Sequence, residues 1–215
     1  MCATIRLSNR KSAFAISHRM SEAGFRKEAR FVYNRHSMKK KPQIAVIGSA
    51  GKSDYKTRGW ATSAMESLAR EIGKKLALRG AIVVTGGKDG IMEAAAQGAK
   101  EAGGITVGVV KGKRRGTSNR FTDIEIVSGM EADGLDELLI ALMSDALIVI
   151  GGGAGTLQEI TLGYRNMKPI VALAESGGWA KKVAGTYLDE RKRIRIQIAK
   201  NSNDAVRKAL QSIGR

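Results

Sequence analysis

Residues Gly151–Glu159 read G-G-G-A-G-T-L-Q-E, four glycines among five residues followed by a threonine and a carboxylate. Glycine lets the backbone turn with positive φ and approach a ligand closely. A helix that follows such a turn offers unpaired amides and about half a positive charge, a natural place for a phosphate. A glutamate about one turn further along could activate water or stabilise a cationic sugar centre. The stretch is therefore a tight turn, a phosphate cradle, or a cradle with a catalytic Glu159 at its edge. Two other loops share the composition: Gly48-Ser49-Ala50-Gly51 and Thr85-Gly86-Gly87-Lys88-Asp89-Gly90. The candidate ligand-binding residues are Gly48, Ser49, Ala50, Gly51, Thr85, Gly86, Gly87, Gly90, Gly151, Gly152, Gly153, Gly155 and Thr156. Met92 and Asn119 join that set, although the helical spacing of Met92 and Met143 equally suits core positions.

Two familiar phosphate motifs do not fit. Gly51-Lys52-Ser53 ends like a Walker A loop, but Val46 stands where that motif needs its first glycine. The G-G-G-A-G-T stretch fails the dinucleotide fingerprint because Thr156 occupies its third glycine position, and the strand over Ala81–Val84 runs into Thr85 rather than an acidic residue. Histidine, zinc and Cys/His chemistry have little to work with: His18, His36 and the single Cys2 all lie before residue 40. One cysteine also rules out an internal disulfide. No metal ligand set is expected.

Charge points to polyanions. The net charge is +17, and eight Lys/Arg against two acids in residues 1–38 account for +6 of it, leaving +11 on the rest. A basic protein attracts nucleotides, nucleic acid or an anionic surface. The run Arg191-Lys192-Arg193-Ile194-Arg195 has no interleaved aromatic, which single-strand binding modules use as stacking platforms, so it reads as a solvated or interface face. The loop Lys111–Arg120 offers Lys113, Arg114, Arg115 and Arg120 as phosphate contacts or as a solvated surface loop. Trp60 and Trp179 open helices and serve either packing or base stacking, and Asp145 suits a turn or cap before a strand.

These residues need elements to hold them. Apolar runs at Gln43–Ile47, Ala81–Val84, Thr106–Val110, Ile124–Val127, Ala146–Ile150 and Pro169–Leu173 read as strands, with Ile194–Ile198 as an edge strand. Helical spacing covers Trp60–Leu78, Gly90–Ala102, Gly134–Met143, a segment from about Thr156, Gly178–Tyr187 and Asn203–Ile213, the last capped by Ser202 or Asn203. Continuous apolar strands alternating with helices predict an α/β fold: one doubly wound, mostly parallel, Rossmann-like sheet with helices on both faces. Ligands then bind beyond the carboxyl ends of the strands. No apolar run approaches the ~20 residues that span a bilayer, so no membrane partner is expected. The chain divides into a basic arm over 1–41 and a phosphate-binding domain over 42–215. The arm's Arg- and Ser-rich composition is compatible with a targeting segment, a passive arm, or a start at Met38. Localisation is accordingly cytoplasmic, or organellar if residues 1–38 are a transit peptide.

The stretches T85-G-G-K-D-G-I-M-E-A-A-A-Q-G-A, A102-G-G-I-T-V-G, G151-G-G-A-G-T-L-Q-E and K168-P-I-V-A-L resemble the LOG family, once called lysine decarboxylase-like. Within that superfamily, G90-I-M-E-A-A-A and G177-G-W-A-K-K-V-A-G look closer to the molybdenum cofactor carrier branch. The resemblance implies a Rossmann-like dimer or tetramer that holds a phosphorylated nucleotide or pterin, with molybdenum cofactor as cargo. It also implies that Gly152, Gly153, Gly155 and Thr156 hold phosphate or ribose and that Glu159 is the active-site carboxylate of the hydrolases. At the position matching an arginine of those hydrolases, this chain has Asp136. That reversal of charge favours binding over hydrolysis. The leading expectation is a binding protein for a phosphorylated nucleotide or pterin. Its alternatives are a nucleoside 5′-monophosphate phosphoribohydrolase with Glu159 catalytic and a nucleic-acid-associated basic protein.

Overall fold

The computed structural model describes residues 40–51 and 61–214. The basic arm, save residues 40 and 41, and Trp60 lie outside them. In chain order the described elements are β1 (Gln43–Gly48), α1 (Ser63–Leu78), β2 (Ile82–Thr85), α2 (Ile91–Glu101), β3 (Thr106–Val110), β4 (Ile124–Val127), α3 (Leu135–Met143), β5 (Ala146–Ile150), α4 (Ala154–Arg165), β6 (Ile170–Leu173), α5 (Gly178–Val183), β7 (Gln197–Ile198) and α6 (Ser202–Gln211), with a short 3-10 turn at Ala174–Ser176.

The strands form one seven-stranded sheet in the order β4-β3-β2-β1-β5-β6-β7, and every pair is parallel. The Rossmann-like expectation holds, and "mostly parallel" becomes wholly parallel. From β1 the chain winds outward through β2, β3 and β4, then returns to lay β5 on the other side of β1, with Ile44 opposite Ala146 and Gly48 opposite Ile150. Between β1 and β5 the winding reverses, and such a reversal opens a crevice at the strands' carboxyl ends.

Alternate side chains of each strand feed two cores, as a pleat with a period of two requires. Ile44, Val46, Val83, Ile148 and Ile150 pack on one face with Ile72 and Leu76 of α1, Ala95 of α2 and Val206 of α6. Ala45, Ile47, Val84, Leu147 and Val149 pack on the other with Ile140 of α3, Ile160 and Tyr164 of α4 and Ala180 of α5. α1 and α2 cross closely: a Cβ on Gly73 would fall 1.9 Å from the Ala95 carbonyl oxygen, and one on Gly98 would fall 1.9 Å from that of Arg70.

Several boundaries differ from the expected ones for local reasons. α1 begins at Ser63 because Thr62 caps it, its hydroxyl accepting from the Met65 amide at 3.3 Å. α6 is capped one or two residues earlier than expected, by Asn201, whose Oδ1 accepts from the Asp204 amide at 3.0 Å. The edge strand shortens to Gln197–Ile198, and α5 ends at Val183. α4 starts at Ala154 rather than Thr156, so its first turn includes Gly155.

Candidate functional site

The loops after β1, β2 and β5 lie side by side, because those three strands are neighbours in the sheet. Direct hydrogen bonds lock them together. Ser49 Oγ accepts from the Gly152 amide at 2.9 Å, and Thr156 Oγ1 donates to the Gly48 carbonyl at 3.1 Å. Asp89 Oδ1 accepts from the Gly51 amide at 3.0 Å, and the Ile91 amide donates to the Ser49 carbonyl at 3.2 Å. Gly151 needs to be glycine: its φ is +63°, and a Cβ there would fall 2.5 Å from Ser49 Oγ. Its amide donates to Ser176 Oγ at 2.7 Å.

This bracing sorts the expected ligand residues. Ser49 and Thr156 are buried, and their hydroxyls hold the β1 and β5 loops against each other. Asn119 is likewise a brace. Its Nδ2 donates to the Lys88 carbonyl at 2.9 Å, its Oδ1 accepts from the Phe121 amide at 3.1 Å, and its own amide donates to the Gly87 carbonyl at 2.6 Å. Thr85 Oγ1 accepts from the Gly87 amide at 3.1 Å, shaping the turn that leads to Gly90 and α2. The Met92 sulfur lies against Gly86. Ala50 is half-buried, and its carbonyl accepts from Ala61 at 3.2 Å.

The open donors sit at the start of α4. Among the described residues no group accepts from the amides of Gly153, Ala154, Gly155 or Thr156, and the first three of these residues are exposed. A 12-residue helix behind them adds the positive end of its dipole. Amides and dipole arranged in this way are the features that suit a helix start to an anion.

Glu159 lies one turn inside the same helix and is 7% exposed. Among the described residues its carboxyl has no hydrogen-bond or ion-pair partner. Burial pushes its pKa well above 4.5, and the carboxyls of Glu137 and then Asp136 push the same way while Lys88 opposes them. A buried glutamate beside other carboxylates favours its neutral form. At Glu159 desolvation thus outweighs the pull of the helix terminus toward the charged form. Asp136 is 5% exposed, and its Oδ1 has no hydrogen-bond partner among the described residues. Glu137 is raised by burial and then by hydrogen bonding with Asp136, while the Gly134 amide, donating to its Oε2 at 2.8 Å, holds it down. Glu137 Oε1 lies 3.2 Å from where a Cβ on Gly155 would stand, which puts these acids beside the cradle. Sequence reasoning singled out Asp136 and missed Glu137. The signal was present: adjacent acids in the first turn of a helix that starts beside another helix's glycine-rich entry.

The basic loop after β3 is anchored. Glu125 accepts from the amides of Gly116, Thr117 and Ser118 at 2.7, 3.0 and 3.0 Å. Lys111 pairs with Asp133 at 3.0 Å, and Arg120 lies over the Phe121 ring, 4.8 Å from its centroid. Lys113, Arg114 and Arg115 are exposed. A cleft of about 810 Å³ opens between this loop and the β2 loop, lined by Lys88, Lys113 and Arg114 together with Glu93 and Glu131. Trp179 is half-buried under Lys182, whose Nζ is 4.4 Å from its ring centroid, and its amide donates to the Gly152 carbonyl. Asp145 is a strand tie, accepting from the Gln43 amide at 2.9 Å. The 191–195 run spends much of its charge locally: Arg191 pairs with Asp189, Arg193 donates to the Arg165 carbonyl and Arg195 to that of Gly185. Among the described residues no group of His, Cys, Asp and Glu could hold a metal ion, and no helix is long and apolar enough to cross a membrane.

Comparison with known proteins agrees with this geometry. The model of the SLOG cluster4 family matches residues 41–206. An uncharacterized protein of Archaeoglobus fulgidus is 36% identical over 131 residues, covering 61% of this chain and 79% of that protein. Two solved structures resemble the whole fold. The molybdenum cofactor binding protein of the phototrophic bacterium Rippkaea orientalis is 29% identical with a TM-score of 0.68, over 82% of this chain and 99% of that one. The molybdenum cofactor carrier protein of Chlamydomonas reinhardtii is 30% identical with a TM-score of 0.68, over 82% of this chain and 100% of that one.

Proposed function

The chain belongs to the SLOG cluster4 family, and from that premise we propose that it is a binding protein for a phosphorylated small molecule, a pterin of the molybdenum cofactor type or a nucleotide. The observation that carries this reading is the set of unpartnered amides from Gly153 to Thr156 at the winding reversal of the sheet. The structural relatives from Rippkaea orientalis and Chlamydomonas reinhardtii support molybdenum cofactor as the cargo. Asp136, in place of a positive charge, supports holding the ligand over cleaving it. The cargo's phosphate would rest on the Gly153–Thr156 amides, while Ser49 and Thr156 keep the two loops at a fixed separation.

One observation favours a second reading. A buried glutamate with a raised pKa is a suitable general acid, and Glu159 could protonate the departing base of a nucleoside 5′-monophosphate. Incubation with a panel of nucleoside monophosphates separates the two readings. The binding reading expects affinity without release of free base, and extraction of a phosphorylated pterin or nucleotide from protein purified without denaturation. Base release by the wild type that disappears in Glu159→Ala would overturn it in favour of a phosphoribohydrolase.

A further inference from the structure

The cleft of about 810 Å³ between the β2 loop and the loop after β3 has the size of a small-ligand site, and its walls are tied together. Asn119 joins the two loops at the base, its Nδ2 donating to the Lys88 carbonyl and its amide to that of Gly87. At the other end the Gly112 amide donates to the Met130 carbonyl at 2.6 Å, and the Gly129 amide to that of Gly112 at 2.9 Å. Glu125 holds the middle of the loop through the Gly116, Thr117 and Ser118 amides. Lys113 and Arg114 therefore project from a braced backbone. Both are exposed, and among the described residues neither has a hydrogen-bond or ion-pair partner. Glu93 and Glu131 also line the cleft, so an anion is attracted only where it comes closer to both cations than to the acids.

This cleft neighbours the start of α4. Lys88 lines it and also lies near enough to Glu159, in the first turns of α4, to draw that carboxyl toward its ionised form. β2 and β3 stand two and three places along the sheet from β5, which at the usual strand spacing separates their loops from the α4 start by about 10–14 Å. Resting on the binding reading above, we propose that the ligand carries two anionic groups this far apart: a phosphate on the Gly153–Thr156 amides and a second anionic group held between Lys113 and Arg114. Charge-assisted hydrogen bonds from an ammonium and a guanidinium suit a phosphate or another oxoanion. A nucleoside monophosphate has one such group, and an elongated bisphosphate has two. Once the first phosphate is seated, the second group meets the cations at high effective concentration, so the two contacts reinforce each other. A ligand with one anionic end leaves Lys113 and Arg114 hydrated at no cost. Selection for the longer molecule thus comes from added attraction, not from exclusion of the shorter one.

The test uses the full-length protein and probes that carry no base or pterin: octyl phosphate, octane-1,8-diol bisphosphate and butane-1,4-diol bisphosphate. Affinities are measured by calorimetry at one pH and salt concentration. The extended octane bisphosphate reaches both places, and the butane bisphosphate is too short to do so. The octane bisphosphate is expected to bind about tenfold tighter than octyl phosphate, while the butane bisphosphate gains nothing over it. In the double variant Lys113→Ala with Arg114→Ala, whose two side chains are exposed, the octane bisphosphate should lose its advantage over octyl phosphate. Equal affinity of the wild type for octyl phosphate and the octane bisphosphate would overturn the second anionic subsite and leave the phosphate on the Gly153–Thr156 amides standing. So would an equal gain from the butane bisphosphate, or an advantage that persists in the double variant. Failure of every probe to bind would overturn the phosphate assignment at the amides as well.

Discussion

Glu159 lowers the stability of the fold at neutral pH, because its carboxyl ionises more readily in the unfolded chain than in the buried native site. Its pKa in the native state lies well above the ordinary 4.5, first through burial and then through Glu137 and Asp136. Between the unfolded and folded values the native state binds more protons than the unfolded chain, so stability falls as pH rises through that window. Glu159→Gln is therefore expected to raise the melting temperature at pH 7, by roughly 2–4 °C for each kcal/mol recovered, and the gain should shrink toward pH 4.5; a melting series across pH measures it. Gly151→Ala works the other way. A residue with a Cβ at φ +63°, pressed on Ser49 Oγ, should cost about 1–3 kcal/mol in denaturant titration. At this scale the sequence disclosed residue types better than residue roles. Thr156, Ser49 and Asn119 have hydroxyl and amide groups suited to a ligand, and the structure spends them on neighbouring loops. Composition does not reveal which of two available partners a polar group takes. That choice depends on which loops the sheet order makes adjacent.

Elements were legible where periodicity is strong. The strands Thr106–Val110, Ile124–Val127 and Ala146–Ile150 fall where their apolar runs place them, and helix ends slipped where a side chain one or two residues away made the better cap. Asn201 took that role from Ser202, whose hydroxyl instead donates to Glu71 of α1. α6 is further held by Asp204, whose pKa is lowered to about 2 by hydrogen bonding from Lys208, with the Lys200 amide and Arg207 adding to it. A depressed carboxylate contributes stability above its unfolded pKa of 3.8 and loses it as pH falls toward about 2. Asp204→Asn should destabilise the protein at pH 7 and match the wild type near pH 2, as followed by circular dichroism. The α1–α2 crossing sets two effects against each other. Gly73→Ala gains up to about 1 kcal/mol in helix propensity, but the new Cβ would sit 1.9 Å from a backbone carbonyl that cannot yield like a side chain. Overpacking of this kind costs typically about 1–3 kcal/mol, so net destabilisation is expected in thermal melts.

For the whole molecule, a doubly wound sheet was readable because only buried parallel strands are apolar throughout. The strand order was not, since strands buried on both faces carry no mark of their neighbours. Only the structure shows β5 beside β1 and hence which loops share a rim. A ligand held there binds the folded chain and not the unfolded one, so phosphorylated ligand at 100 times its Kd should stabilise by about 2.7 kcal/mol and raise the melting temperature on the order of 5–10 °C. Because every strand runs the same way, the carboxyl-end rim carries the glycine loops and the opposite rim carries the helix-to-strand returns. One of those returns, at Gly103, is exposed, and its Cα has nothing within 4 Å of where a Cβ would stand. A fluorophore or an inserted peptide placed there would report on the protein from the far side of the sheet, leaving the ligand end untouched.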